Sequence, residues 1–300
     1  MRLPEALPRG GTIGIVSPAG ATDESRLEQG IRWLEARGFR VRVGAHASSR
    51  YRYLAGRDSE RLEDLRRMFA DDEIDAVFSA RGGFGSGRLL PSLEPSFFAR
   101  AVPFVGHSDL TFLLTYLVQD SRLVAFHGPT VSEFAERPEA AEALVELLSG
   151  EREARFRAPW VLREGKATGA LVGGCLSIVA SLCGTPWSLR TSGCLLFLED
   201  VGEKPFRLER MLVQLRQAGM LAHVAGLVFG EMPRCFENAP DDLAELLSEV
   251  CPDGHYPVVA GLPSGHGTGT VTLPLGVRAT LAGDELRVVE PFLRLPGKRS

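Results

Sequence analysis

The chain has 300 residues, 44% of them apolar and 24% charged, with a formal net charge of −4. That length is enough for one large domain or two modest ones with a substantial core, and two is the preferred reading. The arginines are scattered among acids, so no basic stripe follows a phosphate backbone, and composition speaks against nucleic acid as a partner.

In chain order, MRLPEALPRGGTIGIVSPAG carries charges and prolines where a secretory signal would be apolar. No apolar run approaches the roughly 18 residues of a membrane span, and the expected location is the cytoplasm. The first half then alternates strand and helix signals. Thr12 to Pro18 reads as a strand, Asp23 to Arg37 as a helix, and Arg40 to Val43 as a second strand. Leu62, Leu65, Met68 and Phe69 mark one face of another helix, and Ala76 to Ala80 reads as a buried strand that runs into RGGFGSGR. AVPFVG is the next strand; a helix from Asp109 to Asp120 and the strand LVAFHG follow. Such alternation predicts a parallel sheet with helices on its faces, over residues 1–150.

Residues 151–165 are charged, lack a clean period and contain a proline, and read as a linker. From 166 to 300 a second α/β domain is expected. GALVGGCLSIVASLCGTPW reads as a turn and a helix, CLLFLED as a strand, and Phe206 to Ala218 as a helix. HVAGLVFGEM reads as a strand, Asp241 to Cys251 as a helix, and PVVAGLP as a strand. VTLPLG, VRATLAG and ELRVVE are short strands between turns, a small antiparallel element that closes this domain. Five cysteines, odd in number and without a C-x-x-C pair, fit reduced thiols better than disulfides or zinc.

Several segments carry chemistry. Ser108 follows AVPFVG and opens a helix, so it sits on a strand-to-helix turn, where free amides and the helix dipole favour an oxyanion. Ser and Asp are equally at home there as simple helix caps. Leu110 stands where a G-x-S-x-G elbow has its second glycine, which disfavours an ordinary α/β-hydrolase. Arg81 to Gly87 holds four glycines in seven residues, a turn whose amides can converge on an anion. Alternation puts Leu195, Phe197 and Glu199 on one strand face, so Glu199 needs a partner; Asp200 and Glu203 compete with it on spacing alone. His266 lies between glycines on a loop. A metal cluster of His107, Asp109 and His127 lacks ligand spacing, and neither a metal nor a cofactor is expected.

GIVSPAG, ARGGFGSGRLLP, FVGHSDLTFLL, FHGP, LVGGCLSIVASLCGTPW, LFLEDVGEKPFRLERMLVQL and SGHGTGTVTLPLG together resemble the LD-carboxypeptidase family of serine peptidases, along essentially the whole chain. The resemblance implies a Rossmann-like N-terminal domain, a C-terminal domain with a barrel-like β element, and a homodimer. It implies Ser108 as nucleophile, with Glu199 and His266 as acid and base. Members often carry Tyr where His107 stands, which bears on local pocket polarity. Backbone amides of Gly83 and Asp109 are the expected oxyanion donors, and Arg81 or Arg88 the cation for a substrate carboxylate. The implied substrate is a cytoplasmic murein tetrapeptide that loses its terminal D-alanine across an L-to-D bond. The alternatives are an immunity peptidase that cleaves a peptide-nucleotide antibiotic, and a non-catalytic small-molecule binder.

Overall fold

The computed structural model describes residues 1–238, 241–251 and 254–295. The first half builds as its alternation predicts. β1 (Thr12–Val16) is buried along its whole length. It leads to α1 (Glu24–Glu35), whose start is fixed by Asp23 accepting from the Arg26 amide at 3.0 Å and whose buried side carries Leu27 and Leu34. β2 (Arg40–Val43), α2 (Asp58–Ala70), β3 (Ala76–Ser79), β4 (Phe104–Gly106), α3 (Thr111–Gln119), β5 (Ala125–His127) and α4 (Pro138–Leu148) follow. β2, β1, β3, β4 and β5 lie side by side in that order, all parallel. β1, β3, β4 and β5 are buried throughout, as apolar strands covered on both faces must be. The chain leaves β1 toward β2 on one side and returns to β3 on the other. That reversal opens a crevice at the carboxyl ends of the strands, the place where open α/β sheets bind ligands.

The second half is an eight-stranded mixed sheet in the order β6, β14, β13, β8, β9, β10, β11, β7. Its members are β6 (Arg155–Arg157), β7 (Trp160–Arg163), β8 (Lys166–Cys175), β9 (Leu195–Glu199), β10 (Gly226–Phe229), β11 (Val258–Ala260), β13 (Arg278–Ala282) and β14 (Glu285–Val288). Between them run α5 (Leu176–Ser181), α6 (Pro205–Gln217) and α7 (Asp241–Val250). β8 changes partners midway: residues 166–170 pair antiparallel with β13, and residues 171–175 pair parallel with β9. The expected β element is therefore a continuous sheet rather than a closed barrel, with β6 and β7 as its edges among the described residues.

Three segments depart from expectation. The supposed linker supplies β6 and β7; its charges are those of edge strands, with Arg155 on Glu285 and Arg157 on Asp284. GALVGGC is not a turn but the body of β8. A Cβ on Gly169 would stand 2.3 Å from the Gly193 carbonyl, and one on Gly173 would meet the Phe197 carbonyl still closer, so these glycines admit a neighbouring backbone. β12 (Leu273–Leu275), expected in the second half, adds antiparallel to β5 and completes the first sheet. The halves also meet where the Cys175 amide donates to Thr111 Oγ1 at 3.0 Å. All five cysteines are free.

Candidate active site

At the end of β4 the backbone turns sharply. His107 is extended, Ser108 is left-handed at φ +61°, and a short 3-10 turn over Ser108–Leu110 runs into α3. A left-handed non-glycine residue costs about 1–2 kcal/mol, and a strand-turn-helix elbow is a place where such strain lifts a side chain clear of its neighbours. Gly106 and Gly82 permit it. A Cβ on Gly106 would lie 2.6 Å from Ser79 Oγ, and one on Gly82 would lie 2.8 Å from Ser108 Cβ. Leu110, which breaks the usual elbow pattern, is buried in the core.

Ser108 opens onto a cavity of about 240 Å³ at the carboxyl ends of β1, β3, β4 and β5. Thr22, Asp23 and Arg26 come from the first of these, Arg81, Gly82 and Gly83 from the second, His107 and Ser108 from the third, and Thr130, Ser132 and Glu133 from the fourth. His266 reaches the same cavity from the second half. The Gly83 and Asp109 amides donate no hydrogen bond within the described residues. Gly83 lines the cavity, and Asp109 N–H belongs to the residue after Ser108. Arg81 lines the cavity too, with one nitrogen on the Ala21 carbonyl at 2.9 Å. Arg88 does not: it is paired with Asp58 at 2.8 Å and faces a separate cavity with Phe112 and Trp187.

Glu199 closes β9 with a fully buried carboxylate. Its Oε2 accepts from the His266 backbone amide at 3.2 Å and meets His266 Nδ1 at 2.6 Å. Burial pushes this carboxyl up, but the imidazoles of His127 and His266 outweigh it and hold the group well below its usual range. Gly265, at φ +118°, is required here, because a Cβ would lie 2.6 Å from Glu199 Oε2. The loop is tied down elsewhere as well: the Gly269 amide donates to Glu231 at 2.8 Å, and Arg137 donates to the Gly269 carbonyl. With Nδ1 engaged by Glu199, Nε2 of His266 is the nitrogen left for a proton transfer. Of the competitors, Asp200 Oδ2 accepts from the Ser177 amide at 2.8 Å, and Glu203 pairs with Arg207 at 3.1 Å.

His107 and Glu133 form an ion pair in the cavity wall, Nε2 to Oε2 at 2.8 Å. Burial alone would lower the imidazole's pKa; Glu133 outweighs it and raises it. Burial likewise works against the Glu133 carboxylate, yet His107 and the Thr130 amide and hydroxyl hold its pKa far down. The His107 and His266 rings stand 4.8 Å apart. Sequence reasoning passed over Arg26, Thr130 and Glu133, although Thr130-Val-Ser-Glu133 has capping-box spacing directly after a strand. One ligand atom each of His107, Glu199 and His266 lie within 4.8 Å of one another, a spacing a divalent ion could engage. Asp109 is not among them; its carboxylate accepts from the Ser86 amide at 2.7 Å.

Residues 13–128 match the LD-carboxypeptidase N-terminal domain, and residues 168–281 match the LD-carboxypeptidase C-terminal domain. A Bacillus subtilis protein described as a probable murein peptide carboxypeptidase is 36% identical, over 96% of this chain and 94% of its own length. The crystal structure of muramoyltetrapeptide carboxypeptidase from Oxalobacter formigenes superposes with a TM-score of 0.82 at 30% identity, covering 93% of this chain and 99% of that one. The microcin C7 self-immunity protein MccF of Escherichia coli, in its wild-type apo state, gives a TM-score of 0.89 at 24% identity, over 98% of this chain and 100% of that one. At that identity the likeness to MccF is one of fold.

Proposed function

The chain belongs to the LD-carboxypeptidase family of serine peptidases, and we propose that it removes the terminal D-alanine of a murein tetrapeptide by hydrolysing the L-to-D peptide bond. The observation that carries this reading is the 2.6 Å contact between Glu199 and His266 Nδ1, with His266 and the strained Ser108 lining one cavity.

Ser108 Oγ attacks the scissile carbonyl carbon while His266 Nε2 takes the hydroxyl proton, and the carbonyl π pair moves onto oxygen. Gly83 and Asp109 N–H stabilise that oxyanion, a contribution of roughly 3 kcal/mol per donor. Collapse breaks the C–N bond as His266 returns the proton to the departing D-alanine amine. Water, deprotonated by His266, then hydrolyses the Ser108 ester. Glu199 keeps Nδ1 protonated and stabilises the imidazolium. Arg81, in the cavity wall, is the cation that meets the substrate's terminal carboxylate, while Arg26 in the same wall is paired with Glu136 at 2.5 Å.

The immunity-peptidase alternative draws on a relative of 26% identity over 95% of this chain, whereas the carboxypeptidase reading draws on relatives of 30% and 36% identity. A pure binder would have no use for a strained serine beside a Glu–His pair. Five free cysteines favour a reducing compartment, hence the cytoplasm, and the family likeness favours a homodimer, which light scattering would measure. No helix among the described residues is long and apolar enough to cross a membrane.

The test is a substrate panel: the tetrapeptide ending in D-alanine, the same peptide ending in L-alanine, and an aspartyl sulfamoyl adenosine. Release from the first alone is the expected result. Cleavage of only the third would replace this reading with the immunity peptidase.

A further inference from the structure

We propose that His127 is a positioning residue for Glu199, a second imidazole that holds Oε1 while His266 takes Oε2. The inference rests on the proposed function, since it assigns a role within the same proton-transfer system.

His127 ends β5, and its side chain is 1% exposed. Neither ring nitrogen has a hydrogen-bond partner among the described residues, and Glu199 Oε1 has none either. His127 Nε2 and Glu199 Oε1 stand 3.6 Å apart. Buried polar atoms are nearly always paired, so two orphans facing each other within 4 Å need an account. A closure of about 0.7 Å would bring them to the usual ~2.9 Å of an N–H···O bond.

An imidazole always carries at least one N–H, so this site keeps a polar group where an apolar one would pack without penalty. Two rings stand close to it, that of Phe197 at 5.0 Å and that of His107, which is itself paired with Glu133, at 5.9 Å. Of the carboxylates among the described residues, Glu199 alone comes within 4 Å of His127. Burial, with His107 and His266 adding to it and Glu199 opposing it, lowers the His127 pKa and so favours the neutral ring. In the Nε2–H tautomer it is then a donor to Oε1 that leaves the negative charge on Glu199.

The contact also spans the two sheets. His127 sits in the first, held between β4 and β12 by pairing with Gly106 and Leu273, and Glu199 sits in the second. A carboxylate anchored on one oxygen can still swing; one anchored on both presents Oε2 to His266 in a fixed direction. A misplacement of about 1 Å in such a system costs on the order of a hundredfold in rate.

The test compares wild type, His127→Leu, His127→Gln, Glu199→Ala and the Glu199→Ala/His127→Leu double variant. The readouts are D-alanine release and the rate of Ser108 labelling by a fluorophosphonate. His127→Leu is expected to lower kcat roughly tenfold to a hundredfold with KM unchanged. His127→Gln, which restores an N–H donor, recovers most of the loss, and the double variant is no slower than Glu199→Ala alone. Repeating the cycle with His127→Phe, close to imidazole in shape, keeps the result independent of whether the leucine variant folds. Rates of His127→Leu and His127→Phe within twofold of an active wild type would overturn the inference. So would losses that multiply in the double variant, or a His127→Gln as slow as His127→Leu. A wild type that neither releases D-alanine nor is labelled would instead overturn the proposed function.

Discussion

Ser108 holds a left-handed backbone that glycine would adopt without strain, and that conformation is what aims its hydroxyl into the cavity. Removing the hydroxyl and relieving the strain are therefore separable. Ser108→Ala and Ser108→Gly should both abolish hydrolysis, while the glycine variant is the more stable by about 1 kcal/mol, read as a higher Tm. Next to it, buried His107 and half-buried Glu133 make a pair whose sign can be checked by titration. His107 is raised, so its contribution is complete below about pH 6.5 and fades as pH rises through the higher folded value. Glu133 is depressed, so its contribution is present above about pH 4.3 and fades as pH falls through the lower folded value. His107→Phe should accordingly cost about 2 kcal/mol near pH 6 and clearly less near pH 9, by thermal melts at the two values.

The loop from Ser264 to Gly269 is where elements from both halves converge on His266. Gly265 is its tightest point, and Gly265→Ala would push a methyl group onto Glu199 Oε2 in a backbone region that suits only glycine. That variant should lose about a hundredfold in kcat and about 2 kcal/mol of stability, checked by steady-state kinetics and denaturant melts. The alternating strands and helices of the first sheet were legible because each is a local apolar pattern. β8 was not, because its glycines read as punctuation when they serve to admit the Phe197 and Gly193 carbonyls. β6 hid behind the charges that suit an edge strand, and β12, legible as a strand, was assigned to the wrong sheet because its partner β5 is remote in sequence. At the site, Ser108, Glu199 and His266 stood out by flanking glycines and strand ends together with the family likeness. Glu133 and Arg26 carry no local mark beyond a capping box and a helix start, and only the folded cavity brings them in. Arg88 beside the glycine loop looked equivalent to Arg81, but Asp58 holds it elsewhere.

On the scale of the whole molecule, the two sheets bring their strand ends to a common seam. Ser108 comes from one half and Glu199 and His266 from the other. β12, the His127–Glu199 contact, the Cys175–Thr111 hydrogen bond and the Arg137–Gly269 hydrogen bond stitch them together. Neither half holds a complete site, so residues 1–150 alone should show no hydrolysis. That fragment would also leave the β5 edge uncovered, and sedimentation should find it aggregated. The most direct measurement is D-alanine release from the L-Ala-D-Glu-diaminopimelate-D-Ala tetrapeptide by wild type, Ser108→Ala and His266→Ala, with a chelator present. Release by wild type alone is the predicted result. Release by Ser108→Ala at the wild-type rate, or loss of wild-type release when the chelator is added, would contradict a metal-independent serine mechanism.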